Sequence, residues 1–345
     1  MNLKTLPLVE VACAVCGGGE METVCTAEEI AAQQAYLPRF HKRRLKPDAA
    51  AEGALEERAS FTQDYATQIV RCCACGLILR DPRPKDRAIR HMYEGDSYTR
   101  ERLEAIFLAQ REFYRPKAKQ LSQWLAPDAS VVEVGSFAGG FLAAAQERGW
   151  QALGIDPGKD VDEFCRAKGL PVLHGTLDDL TSSPESVDAL AVWNTFDQLP
   201  DPGPTLAAAA RLLRPRGILA LRVPNGEFFV DAHSSLVRMR HTPLAPIAGW
   251  ILDAMVWNNM LAFPYLYGYS VSTLDRLLQR YGFARRLVQP DTLVQLSDCD
   301  TRTWAVWEER AVKAFLRAVA RTDGIRLGSR FPLAPWLDLY YEKSA

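Results

Sequence analysis

VVEVGSFAGGFL, residues 131–142, runs an apolar strand into a glycine turn and then into a helix. Glu133 rides in the strand, Gly135 and Gly139 bracket the turn, and Ser136 and Phe137 lie between them. Glycine at 135 lets the backbone turn sharply and approach a ligand with no Cβ in the way, while Gly139 and Gly140 allow close packing as the helix begins. This is the shape of a nucleotide-cofactor loop. A dinucleotide fingerprint requires Gly-x-Gly-x-x-Gly, and Phe137 stands at its second glycine, so NAD and FAD fit poorly.

Moving outward, the pattern repeats. A second apolar run, 151–155, ends in Asp156-Pro157, about 20 residues beyond Gly135, where a β-α-β unit sets an acid beside ribose hydroxyls. A third, 170–173, leads into His174-Gly-Thr-Leu-Asp-Asp179. A fourth, 187–193, ends in Asn194-Thr-Phe-Asp-Gln-Leu-Pro-Asp-Pro202, and a fifth, 217–223, ends at Pro224-Asn225. Alternating strands and helices predict an α/β sheet. The spacing Glu-x-Gly-x-x-x-Gly suits S-adenosylmethionine (SAM) better than a dinucleotide.

Residues from about 125 to 225 resemble the core of a class I SAM-dependent methyltransferase, most of all in VDALAVWNTFDQLPDPGPTLAAAARLLRPRGILALRVPN. The resemblance implies a Rossmann-like seven-stranded sheet. It also implies that Gly135, Ser136 and Gly139, with Glu133 and Phe137, border the methionine part of SAM, and that Asp156-Pro157 meets the ribose. Thr176, Leu177 and Asp178 would flank the adenine, and Trp193 and Asn194 would close over the cofactor. One departure matters: many relatives carry His where this chain has Asn194 and Gln198, so a general base from those positions is missing.

The cysteines make the second constellation. Cys13-Ala-Val-Cys16-Gly and Cys72-Cys-Ala-Cys75-Gly are two Cys-x-x-Cys knuckles, and four thiolates suit a structural zinc ion. Cys73 is a spare that could replace Cys72; redox pairs or plainly packed thiols are the alternatives. The passage Cys75-Gly-Leu-Ile-Leu-Arg-Asp-Pro-Arg-Pro84 resembles the zinc-ribbon leader ahead of many bacterial methyltransferases, including sugar C-methyltransferases. Cys25, Cys165 and Cys299 lack a partner pattern. Between the knuckles, 27–45 and 49–58 read as helical. The basic cluster Arg39-Phe-His-Lys-Arg-Arg-Leu-Lys46 reads first as a solvated helix face.

These readings divide the chain into a zinc-ribbon-like module with a helical insertion (1–84), a helical connector (85–124), a SAM-binding core (125–225) and a C-terminal region (226–345). The last holds an inserted helical lid, closing strands at 286–289 and 301–307, and a tail. With 48% hydrophobic and 24% charged residues the chain can bury a sizeable core, and a net charge of −1 gives no reason to expect a nucleic-acid track. Glu10 interrupts the apolar N-terminus, so the chain reads as cytoplasmic. Leu244–Leu266 is apolar, but Pro246, Asp253, Asn258, Asn259 and Pro264 interrupt it. It is expected to wall a pocket rather than span a membrane, with docking at a lipid interface left open.

The expected activity is methyl transfer from SAM to O or C of a small-molecule acceptor, such as a nucleotide-linked sugar or a biosynthetic intermediate. A zinc-ribbon RNA methyltransferase and a non-catalytic Rossmann-like scaffold are the alternatives. Removing the acceptor's proton calls for a base within hydrogen-bond reach. His233 is the first candidate and Asp197 the second, followed by His241 and Glu227, with Tyr265, Tyr267 and Tyr269 as weaker donors or orienters. The sequence leaves the oligomeric state open.

Overall fold

The computed structural model describes residues 7–47, 65–86, 88–89, 98–181, 183–239, 242–295, 301–326 and 331–344. His241, Cys299 and the helix expected at 49–58 lie outside them. The N-terminal part contributes β1 (Leu8–Val9), β2 (Met21–Cys25), α1 (Ala27–Arg44), β3 (Gln68–Cys72), β4 (Ile78–Asp81) and β5 (Arg83–Pro84). Helix α1 starts at a reciprocal cap: the Thr26 hydroxyl accepts from the Glu29 N–H, and the Glu29 carboxylate accepts from the Thr26 N–H. Acids in its first turn and His41, Lys42, Arg43 and Arg44 in its last complement the helix dipole.

After α2 (Arg100–Leu121) comes the alternating region: β6 (Ser130–Val134), α3 (Gly140–Gln146), β7 (Gln151–Asp156), α4 (Lys159–Ala167) and β8 (Val172–His174). Next are β9 (Val187–Trp193), α5 (Gly203–Leu212) and β10 (Leu213–Pro224), then α6 (Gly226–Met239), α7 (Ala245–Trp257) and β11 (Tyr267–Gly268). The chain closes with α8 (Val271–Gln279), β12 (Phe283–Asp291), α9 (Thr303–Arg326) and β13 (Trp336–Lys343). The main sheet has seven strands in the order β12-β13-β10-β9-β6-β7-β8. Only β13 runs against the others, pairing antiparallel with both β10 and β12. This is the class I methyltransferase sheet expected above.

One expectation is corrected. Residues 301–307 are not the closing strand: from Thr303 onward they are the first turns of α9, and the strand that fills the gap between β10 and β12 is β13. Trp304, Val306 and Trp307 carry strand propensity locally, but the apolar pattern of 303–326 has a helical period, and period outweighs propensity.

Alternation along the strands explains how the sheet is covered on both faces. On β9, Leu190 and Val192 enter one core with Leu219, Leu221 and Val223 of β10, while Ala189, Ala191 and Trp193 face the other side. The small residues on that side leave room for α2 and α3. Helices α2 and α3 approach closely at Gly140, where a Cβ would lie 2.3 Å from Gln110 Cβ and 2.8 Å from the Arg111 nitrogen of α2.

A second sheet, ordered β11-β4-β3-β2, joins the N-terminal module to the C-terminal region, since Tyr267 and Gly268 pair with Leu79 and Ile78. Buried Arg80 of β4 strengthens the seam. Its Nε donates to the Phe263 carbonyl at 2.9 Å and its Nη2 to the Ala262 carbonyl at 2.7 Å, holding two residues with φ of 42° and 58°.

Candidate functional site

The sheet changes direction of travel between β6 and β9, and ligands of open α/β sheets lie outside the carboxyl ends of the strands at such a switch point. The turns after these two strands touch there. Gly135 has a φ of 72°, and a Cβ on it would fall 2.2 Å from Thr195 Oγ1. Any larger residue would therefore be strained in its backbone and would also collide with the neighbouring loop.

Two buried carboxylates flank this turn. Asp156, at the end of β7, accepts from the Phe137 N–H at 2.8 Å and the Gly158 N–H at 2.9 Å, which ties the glycine turn to the next strand. Burial raises its pKa, and the two backbone donors act the other way. Glu133 is buried in β6, and its Oε2 has no hydrogen-bond partner. Burial, reinforced by the charge of Asp156, pushes its carboxyl well above the usual range.

The other expected cofactor residues fall as follows. Ser136 is buried against Gly154, with its Oγ unpartnered. Phe137 (φ 44°) makes an edge contact with Tyr98, their ring centroids 5.1 Å apart. Gly139 caps α3, and Pro157 is half-buried directly after Asp156. Thr176 and Asp179 cap a short turn, in which Leu177 packs into the core and Asp178 is exposed. Trp193 packs among Tyr114, Phe141 and Tyr340. Asn194 (φ 55°) donates from Nδ2 to the Tyr114 hydroxyl and accepts at Oδ1 from Arg222 Nε, both at 2.8 Å.

Arg222 leads to a cluster that sequence reasoning missed. It pairs with Asp338 at 2.6 Å and Asp291 at 2.9 Å, and Lys117 pairs with the same two acids. Burial opposes ionisation of Asp291, but the charges of Arg222 and Lys117 prevail and hold it below the usual carboxylate range. These residues come from α2, β10, β12 and β13, so no local motif joins them.

Three residues beyond Asn194, the Asp197 side chain is fully buried and neither carboxylate oxygen has a partner. Burial pushes its carboxyl from 3.8 up to about 8. The hydroxyls of Tyr265 and Tyr269 are likewise buried without partners, and the Asp197 charge acts on both. The Leu266 N–H donates to the Asp197 carbonyl at 3.2 Å, and the Leu266 carbonyl accepts from the Arg80 N–H at 3.0 Å. The N-terminal module thus braces the segment that faces Asp197.

His233 lies in α6, buried and stacked 5.9 Å from Phe229. It meets α1: Nδ1 is 3.3 Å from Gln33 Nε2, and Nε2 is 3.6 Å from Glu29 Oε1. Glu227 is half-buried in the first turn of the same helix.

At the far side of β3 and β4, the sulfurs of Cys13, Cys16, Cys72 and Cys75 all lie within 4.8 Å of one another. Cys13–Cys75 and Cys16–Cys72 are 3.4 and 3.5 Å apart. Tetrahedral zinc with Zn–S bonds of about 2.3 Å separates its sulfurs by about 3.8 Å, so the donor set fits a closed structural site. The two knuckles share one backbone pattern, with Gly17 N–H donating to the Cys13 carbonyl and Gly76 N–H to that of Cys72, both at 2.8 Å. Cys73 is exposed and outside the cluster.

Strand order, switch point and glycine turn together define a class I Rossmann-like cofactor-binding protein. The chain belongs to the methyltransferase-domain family, whose model matches residues 107–289. A segment of 94 residues is 32% identical to the ubiquinone biosynthesis O-methyltransferase of Methylococcus capsulatus, covering 25% of this chain. The chain spans only 40% of that relative's length. A SAM-dependent methyltransferase of Thermotoga maritima superposes with a TM-score of 0.44 at 18% identity, over 74% of this chain and all of the other. One of Mesorhizobium loti gives 0.41 at 14% identity, over 65% of this chain and 96% of the other.

Proposed function

We propose that this protein is a SAM-dependent methyltransferase acting on a small-molecule acceptor, a nucleotide-linked sugar or biosynthetic intermediate, by in-line transfer to oxygen or carbon. The observation that carries the reading is the pair of buried carboxylates around the Gly135 turn, one of them with an unsatisfied oxygen. Glu133 and the turn around Ser136 suit the charged amino-acid end of SAM, and Asp156 suits its ribose diol. Bound SAM would supply a methyl group already activated on a sulfonium.

The protein's share of the work is then alignment, exclusion of water and removal of one proton. Alignment of reacting groups is worth about 7–11 kcal/mol in favourable cases. Asn194, gripped by Tyr114 and Arg222, keeps the loop after β9 in its left-handed turn. Asp197 is the group suited to take the acceptor's proton, because its carboxyl titrates near pH 8 and has no competing partner. Tyr265 and Tyr269 would orient the acceptor. The four thiolates would hold a structural zinc that orders β3 and β4, with no open position for chemistry.

Calorimetric titration with SAM tests the cofactor assignment. Tight binding is expected for the native protein, and Asp156→Ala should weaken it by at least tenfold. Full affinity in that variant would remove the ribose assignment. Incubation with methyl-labelled SAM and a cell extract tests the acceptor class, and label confined to RNA would overturn it.

A further inference from the structure

The outer face of α9 is inverted relative to an ordinary surface helix. Its inward side buries Val312, Leu316 and the Lys313–Glu309 ion pair, whereas Trp304, Trp307, Ala311, Phe315 and Ala318 recur at helical spacing on the outside. Trp307 is 63% exposed and Phe315 53%. The first half of α7 continues this surface: Leu244, Ile247 and Trp250 are exposed, and Trp250 packs edge-on against Phe315 at 5.3 Å. From Thr242 to Leu252 there is no charged residue. Contiguous exposed aromatics and aliphatics of this kind mark an interaction surface.

Charge chooses the occupant. Among the described residues, Asp253 and Glu308, which adjoin the patch on α7 and α9, are both paired to Arg44 at 3.0 and 2.7 Å. The basic C-terminus of α1 meets the start of α9, where Leu45 bridges Thr301 and the Arg302 N–H donates to the Arg44 carbonyl at 2.8 Å. Exposed Lys42, Arg43, Lys46 and Arg302 therefore border Trp304, and Arg310 lies 5.2 Å over the Trp307 ring. Tryptophans at the edge of an apolar surface with a cationic rim match the headgroup layer of an anionic bilayer. No helix among the described residues is long and apolar enough to cross a membrane, so attachment through this face would be peripheral.

We propose that the α7–α9 face docks the protein on an anionic lipid surface, with the aromatic stripe entering the headgroup region and the basic end of α1 pairing with lipid phosphates. The inference is independent of the methyl acceptor. It gives a role to the 39–46 basic cluster, which the proposed reaction leaves unused.

Sedimentation of the full chain with vesicles tests it, using phosphatidylcholine alone and phosphatidylcholine with roughly 30% phosphatidylglycerol. The protein should pellet with the anionic vesicles alone, with a blue shift of tryptophan emission, and added salt should release it. The pairs Trp304→Ser/Trp307→Ser and Lys42→Gln/Arg43→Gln should each lower partitioning on the order of tenfold. Both should leave the far-UV spectrum and SAM titration unchanged. The lysine–arginine pair is exposed and makes the test even if the tryptophan pair impairs folding. Absence of vesicle binding, binding that the variants leave intact, or a dimer that the tryptophan variant disperses would each overturn the proposal.

Discussion

Two groups of buried ionisable residues lie on either side of Asn194, and they are treated in opposite ways. Around Arg222, four charges from four elements are matched pair by pair, with Asp291 held ionised. Around Asp197, one carboxyl and two phenols are equally deep but have no partners, and burial raises the carboxyl's pKa to about 8, so the basic carboxylate forms increasingly as pH climbs toward that value. Pairing at that depth serves shape, because a buried charge without its partner is strongly destabilising. A bare acid is tolerated where a ligand is to complete it, so under the proposed function the second group takes part in the reaction and the first holds its loop in place.

The sharpest way to break this contrast is Asp197→Asn. Methyl transfer should fall by about 100- to 10,000-fold, as for loss of a general base, while thermal stability at pH 7 is kept or rises because the cost of the buried acid is removed; an unfolded variant would reverse the assignment. Next in size, Arg222→Met should destabilise by about 3–5 kcal/mol, since it leaves Asp338 with Lys117 and Asp291 with Lys117 and the half-exposed Arg317. A denaturant titration reads it, and a change below about 1 kcal/mol would show the cluster to be idle.

The two groups should also respond oppositely to pH. Asp197 has a raised folded pKa, so its contribution to stability is full below 3.8 and is lost as pH climbs toward about 8. Asp291 is depressed, so its contribution is present above the ordinary carboxylate range and is lost as pH falls below it. Asp197→Asn should flatten the decline between pH 3.8 and about 8 and leave the loss that follows protonation of Asp291 untouched. The smallest effect belongs to the turn between the groups: Gly135→Ala should cost about 1–2 kcal/mol for its left-handed backbone, and weaken SAM binding through the collision with Thr195.

What the sequence revealed was local. The glycine turn, Asp156 and the two knuckles declare themselves within a few residues, because backbone turns and tetrahedral thiolates dictate short spacings. The closing strand did not, since Trp336–Lys343 becomes a strand through pairing with β10 and β12, and 301–307 resembles a strand only within its own short window. Nor did the Arg222 cluster, whose members Lys117 and Asp338 are distant in sequence. His233 follows Asn225 closely enough to suggest a loop residue, yet α6 begins at once and turns its imidazole toward α1. Asp197 stood among the candidates, but its isolation from every partner is a property of folded packing.

The two rungs that Tyr267 and Gly268 add to β4 mean that the N-terminal ribbon is no detachable cassette. A fragment trimmed to start at α2 would present Tyr267 and Gly268 as a raw hydrogen-bonding edge and would lose Arg80, the clasp on Ala262 and Phe263. Grafting the ribbon onto another catalytic core would likewise fail unless the recipient brought its own matching dipeptide.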